Sequence, residues 1–318
     1  MDGRSGRGHV HLLLKVAQMY YDEGATQAQI AREVGYSRPT ISRLLTEARQ
    51  RGIVTITISH PLERLIALED ALVDLYGLKA ARVTDSEAGI PISESVGREA
   101  AQLLIGYGGH DKVIALSNGR SVAAVVRNMP RRHWARACVA QMIGSIGRGL
   151  TVEDSPAICR ILADRIGGNY AQMPVPLMLE SAALAGALQS EPQVAAALQL
   201  AAHADVALVG VGAVDASGVG GPILQPYITD EMAAEILALG AIGHICGHHF
   251  DARGRHIHTA LCDRMIALDP LKLRDVPIVI GVAWEPAKAR ALKAAMAGGY
   301  LNTLVVDRET AELLLDED

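Results

Sequence analysis

Five short apolar runs recur through the last two thirds of the chain: VIALSNG (113–119), VAQMIGS (139–145), ADVALVGVG (204–212), IVIGVA (278–283) and TLVVD (303–307). Each is unbroken rather than alternating, and alanine-rich helical stretches separate them. Strands that are apolar on both faces must be covered on both faces. The pattern therefore predicts a parallel sheet between two layers of helices, an α/β domain. Ligands of such sheets bind beyond the carboxyl ends of the strands, where several of these runs end in polar or glycine-rich turns.

A chain of 318 residues, half of them hydrophobic, has core enough for one large domain and a small one. Its cysteines, Cys138, Cys159, Cys246 and Cys262, form no CxxC pair and read as free thiols in a reducing compartment, which favours the cytoplasm. The first residues lack an apolar signal core, and no long uncharged apolar run occurs to span a bilayer, so no membrane partner is expected.

Charge divides the chain. Residues 1–60 hold eight Lys/Arg against five Asp/Glu, whereas residues 61–318 hold 22 against 30. A basic segment on an acidic body suits a nucleic-acid module joined to a sensor, and Pro61 marks the expected boundary between a 1–60 and a 61–318 domain. In the basic part VHLLLKVAQMYY (10–21) has the period of an amphipathic helix. Thr26 and Gln29 stand at capping-box spacing, so a second helix should begin near Thr26, bury Ile30, Ala31 and Val34, and stop at Gly35. Ser37 then caps a third helix with Pro39 in its first turn. Its inner stripe is Ile41, Leu44, Leu45 and Ala48, which leaves Arg38, Pro39, Ser42, Arg43 and Thr46 outward. Helix, glycine turn and helix with a polar, arginine-bearing face is the layout of a helix-turn-helix, whose second helix reads the major groove. The candidate DNA-contacting residues are Thr26, Gln27, Ser37, Arg38, Pro39, Thr40, Ser42 and Arg43. GIVTITIS (52–59) alternates with period two and predicts a closing strand or wing.

Beyond Pro61, the helix 62–78 carries Leu65, Leu68, Leu72 and Leu75 along one side. It is either a dimerisation or linker helix or the first packed helix of the next domain. The turn SNGRSV offers Gly119 for close backbone approach, the Ser121 hydroxyl, and the N–H groups of the following helix for a phosphate or polyol oxygen. The stretch 240–258 holds five of the eleven histidines. His244, Cys246, His248 and His249 suggest metal ligands, but structural zinc sites draw on two spaced pairs, and no second pair stands at such spacing. The expectation is a polar loop or effector contact without a metal or cofactor.

In order and spacing, TQAQIAREVGYSRPTISRLLTEARQRGIVTI, SNGRSV, ADVALVGVG, GAIGHICGHHFDARG and AKARALKAAMAGGYLNTLVVDRETAELLL resemble the SorC family of bacterial sugar-responsive transcriptional regulators, from about residue 12 to 315. The resemblance implies an N-terminal helix-turn-helix and a Rossmann-like α/β effector domain with the fold of glucosamine-6-phosphate deaminase and ribose-5-phosphate isomerase. It implies a repressor that binds double-stranded operator DNA as a homodimer or tetramer and answers to a sugar, polyol or sugar phosphate. Carried over by position, Asn118, Gly119, Arg120 and Ser121 form the effector loop, Gln141 lies at a strand end resembling Gln-x-x-Gly-Gly, and Lys288 is a pocket lysine.

Three departures from the family pattern stand out. Gly243-His244 replaces Gly-Asp, so His244 takes the place of an effector-contacting aspartate. His248 stands where Arg or Tyr is common, and Trp284-Glu285-Pro286 replaces a glycine-rich turn. A bulky Trp and a histidine are expected to reshape the pocket toward an unphosphorylated sugar or acyclic sugar alcohol. The alternative is a sugar-phosphate isomerase or deaminase carrying a DNA-binding appendage. That chemistry needs a carboxylate base, for which Asp205, Asp251 or Glu285 are the candidates.

Overall fold

The computed structural model describes residues 6–54, 61–86, 88–147, 153–216, 218 and 224–316. The chain divides into two compact units, Met1–His60 and Pro61–Asp318.

The first unit holds three helices: α1 (Arg7–Tyr21), α2 (Gln27–Val34) and α3 (Arg38–Gln50). Thr26 caps α2 in a reciprocal box, Gln29 N donating to Thr26 Oγ1 at 3.3 Å and Thr26 N donating to Gln29 Oε1 at 2.8 Å. Gly35 ends α2 at φ +73°, a left-handed conformation that glycine adopts without penalty. Ser37 caps α3, and Pro39 sits in its first turn. Ile41, Leu44, Leu45 and Ala48 are buried with Leu13, Val16 and Ile30 in a core of the unit's own. Ala31 and Val34 are only partly buried against it. The closing strand expected at 52–59 falls largely on residues outside those described, the chain being described to Val54.

The second unit is built on a seven-stranded sheet ordered β1-β11-β10-β5-β2-β3-β4, every pairing parallel. Its strands are β1 (Ala80–Thr84), β2 (Val113–Leu116), β3 (Cys138–Gln141), β4 (Asn169–Ala171), β5 (Val206–Gly210), β10 (Ile278–Val282) and β11 (Thr303–Asp307). All five expected runs are strands, and β1 and β4 add an edge on each side. Alternate strand residues feed opposite faces. Ile114, Leu116, Val206, Leu208, Ile280 and Val282 pack under α5 (Ile92–Tyr107), α6 (Arg120–Asn128) and α7 (Ser155–Ile166). Ala115, Ala140, Ala207, Val209, Val279 and Leu304 share the other core with α4 (Pro61–Tyr76), α9 (Pro192–Ala202), α11 (Ala289–Ala297) and α12 (Arg308–Leu315). A satellite core gathers residues of α8 (Ala182–Ser190) and α9 around Met173 and Ile266.

The helix α4 packs on the core of the second unit. Leu72 is buried, Leu65 and Leu68 lie against the core, and Tyr76 Oη donates to Leu314 O at 2.5 Å, while Leu75 stays exposed. The histidine-rich segment is not a loop. It forms β7 (Ala241–Ile245), β8 (His248–Asp251) and β9 (His256–Ile257), which join β6 (Gly212–Ala213) in a four-stranded antiparallel sheet, with α10 (Asp230–Ala238) leading into β7.

Candidate functional site

From β2 the chain steps outward through β3 to β4, then returns to place β5 on the opposite side of β2 and continues through β10 to β11. The order of strands therefore reverses between β2 and β5, and a crevice opens at their carboxyl ends. A cleft of about 270 Å³ lies there. Ser117, Asn118, Gly119, Arg120 and Ser121 line it from the end of β2, Gly210 to Ala213 from β5 and β6, His244, Cys246 and Gly247 from β7, and Glu285, Ala287 and Lys288 from beyond β10.

Gly119 makes the first wall possible. At φ +98° and ψ +176° it occupies a region closed to side chains, and it turns the chain into α6, whose first residues, Arg120 and Ser121, line the cleft. Asn118 Nδ2 is buried there without a hydrogen-bond partner among the described residues, a donor that a ligand oxygen would satisfy. Ser121 is buried at the second position of α6.

The opposite wall is electrostatic. Glu285 reaches Lys288 Nζ at 3.0 Å and Arg120 at 3.2 Å, so one carboxylate bridges the two cations of the cleft. It does so from φ +87°, one of two non-glycine residues with positive φ among those described. Its amide donates to Asp307 Oδ2 at 3.2 Å, which holds that conformation. Partial burial favours the neutral acid, but the hydrogen bond and charge of Lys288, and then Arg120, outweigh it and hold the Glu285 carboxyl below its ordinary range. Glu153 and Asp215 also line the cleft, so two cations face three carboxylates.

The effector residues expected from the sequence gather here with one exception. Gln141 is fully buried and is not among the lining residues. Its Nε2 donates to Ile143 O at 2.7 Å, and its Oε1 accepts from Tyr170 Oη at 2.6 Å. These bonds brace the end of β3. Trp284 and His248 are not among the lining residues either. Trp284 is packed in the core beneath the sheet, its ring 5.5 Å from Lys288 Nζ. His248 lies on β8, paired with Ile245. Sequence reasoning missed Glu153, Asp215 and Gly247 as lining residues, for which no local motif stood, and took Glu285 as a departure from a pattern and a candidate base rather than as a bridge between two cations.

Strand pairing sorts the histidines into two groups. His244 lies opposite His249 with ring centroids 5.9 Å apart, whereas His248 meets His256 with centroids 5.0 Å apart. Burial drives the His248 and His249 imidazoles down to about 3, with neighbouring rings adding to the effect, so both are neutral near pH 7.

In the first unit Arg38, Pro39, Ser42, Arg43 and Thr46 are exposed on α3. Neither Arg38 nor Arg43 has an ion-pair partner among the described residues. Arg38 shares a groove with Thr26 and Gln27. Ser37 and Thr40 are tied to each other by a 2.8 Å hydroxyl contact at the helix start.

Residues 60–316 match the family model described as "Putative sugar-binding domain", and residues 15–51 match that of sigma-70 region 4. The sorbitol operon regulator of Klebsiella pneumoniae is 31% identical over 310 residues, 96% of this chain and 98% of that protein. The chain belongs to the SorC family of transcriptional regulators. The crystal structure of full-length SorC from the same organism superposes with a TM-score of 0.76 over 97% of this chain and 100% of that one. The erythritol catabolism regulatory protein EryD of Brucella abortus (strain 2308) is 29% identical, with 96% of each chain covered. This SorC-family regulator thus combines a helix-turn-helix with a parallel-sheet sugar-binding domain. Among its described residues no helix is long and apolar enough to cross a membrane.

Proposed function

We propose that this regulator is a cytoplasmic repressor of a carbohydrate or polyol catabolic operon, acting as a homodimer or tetramer. Its 1–60 domain holds double-stranded operator DNA through α3, and its 61–318 domain releases that DNA when a neutral, unphosphorylated sugar or sugar alcohol fills the cleft. The Glu285 bridge carries the choice of effector. A phosphate ester needs the α6 N-terminus, Arg120 and Lys288 for itself, but Glu285 already answers both cations and the lining balance is one negative charge in excess. A polyol needs only hydrogen bonds, which Asn118, Ser121, His244, the remaining N–H donors of Lys288 and the lining carboxylates supply. Binding without turnover is supported by the fate of the candidate bases. Asp205 is spent on Lys112 and the Val113 amide at 2.8 Å each, before β5 rather than beyond it. Asp251 is held by Arg255, and Glu285 by its two cations.

Isothermal titration of paired neutral and phosphorylated sugars tests this at pH 8 and pH 6. The neutral member of a pair should bind more tightly at both values, because Glu285 stays ionised across that range. The gap should narrow toward pH 6, where a phosphate monoester with a second pKa of about 6 sheds part of its charge. In Glu285→Gln the phosphate ester should gain about ten-fold, a modest factor because the bridge is partly exposed. Tighter binding of the ester to the unaltered protein at both pH values would contradict the neutral effector.

A further inference from the structure

Three metal-ligating side chains converge outside the cleft: His248 from β8, His256 from β9, and Cys262 at the start of the 3-10 turn Cys262–Arg264. One ligand atom from each lies within 4.8 Å of the other two. His248 Nδ1 is 3.2 Å from His256 Nε2, which is 3.9 Å from Cys262 Sγ. A tetrahedral zinc ion with its usual bond lengths sets two nitrogens about 3.3 Å apart and a nitrogen and a sulfur about 3.6 Å apart. Two of the three separations lie within a few tenths of an ångström of those values, and the third, between His248 and Cys262, is within 4.8 Å, so an ion enters as the side chains draw together.

The setting favours a ligand over a chance cluster. His248 is 8% exposed, and its Nε2 has no partner among the described residues. Among the described residues no carboxylate or cation is hydrogen-bonded to either ring. The neighbouring His258 is different, for it spends its Nε2 on Asp263 at 2.9 Å. Cys262 is 8% exposed and makes only long sulfur contacts, to Thr259 Oγ1 at 3.9 Å and Ile257 O at 3.8 Å.

We propose that His248, His256 and Cys262 bind a zinc ion, with one position of the tetrahedron left for a solvent ligand. Binding converts the Cys262 thiol to thiolate and releases its proton to solvent, while both imidazoles ligate through lone pairs. The ion joins β8, β9 and the 262–264 turn. His248 directly follows the cleft residues Cys246 and Gly247, so the proposed site lies next to the effector wall without being part of it. The histidine segment gave no such expectation from sequence because its ligands are not two spaced pairs but three single residues, two brought together by an antiparallel sheet and one by the turn that follows it.

Cobalt(II) added to the reduced full-length protein is the probe. A thiolate-to-cobalt charge-transfer band with tetrahedral d–d absorption is expected at one ion per chain, displaced by zinc. Cys262→Ser should abolish the charge-transfer band, and His256→Ala should weaken cobalt binding by more than about 100-fold, beyond the usual cost of losing an outer-shell partner. His258→Ala should leave both unchanged. Circular dichroism checks that each variant is folded. A second readout uses the unaltered sequence: zinc should slow modification of Cys262 by a thiol reagent, read by peptide mapping. Absence of the band, its survival in Cys262→Ser, or a Cys262 reactivity indifferent to zinc would overturn the site.

Discussion

Arg43 occupies the middle of the outer face of α3, exposed and without an ion-pair partner among the described residues. An arginine so placed is available for the bidentate contact that guanine edges accept. Arg43→Ala should therefore weaken specific operator binding by about 1–3 kcal/mol while leaving effector titrations unchanged. Operator affinity equal to that of the unaltered protein, measured by fluorescence anisotropy at fixed salt, would remove Arg43 from the reading face. Residue roles were legible to different depths. The caps Thr26 and Ser37 announce themselves because capping is local chemistry, set by residues three apart. Gln141 and Trp284 do not, because a strand-end amide that braces a neighbouring turn has the same sequence context as one that meets a ligand. Only the fold shows which way each side chain turns.

Among elements, α2 depends most visibly on a single local device. Its eight residues are too few to be stable alone, and the reciprocal Thr26–Gln29 box satisfies two of its otherwise unpaired donors. Thr26→Ala should destabilise the helix-turn-helix by about 0.5–2 kcal/mol. Thermal unfolding followed in a 1–60 fragment, or operator affinity near the unfolding range of the whole chain, would register it. An unshifted midpoint would mean that packing of Ile30 alone holds the helix. The five central strands were readable because burial on both faces makes them continuously apolar. The edge strands β1 and β4 were not: AARVT and NYA carry polar or half-buried residues, as edges do. The β7–β9 ribbon was hidden for another reason. Its histidines look like loop composition, and only cross-strand pairing reveals that His248 and His249 are buried.

At the scale of the whole molecule, the proposed regulation is thermodynamic linkage between two compact units. An effector shifts operator binding only through its different affinities for the two states of the protein, so under the proposed repression a variant that loses the effector contact stays on the operator. The architecture was legible because it follows from the order of elements. The character of the cleft was not, since its charge balance arises from Glu153, Asp215 and Glu285, far apart in sequence. The most direct test is an operator-binding titration at fixed salt, with and without a neutral sugar or polyol found to bind by thermal shift, on the unaltered protein, Ser121→Ala and Lys288→Ala. The account predicts equal operator affinity for all three without ligand, release of the unaltered protein by the ligand, and release of each variant only at substantially higher ligand concentration. Release of both variants at the same concentration as the unaltered protein would contradict it.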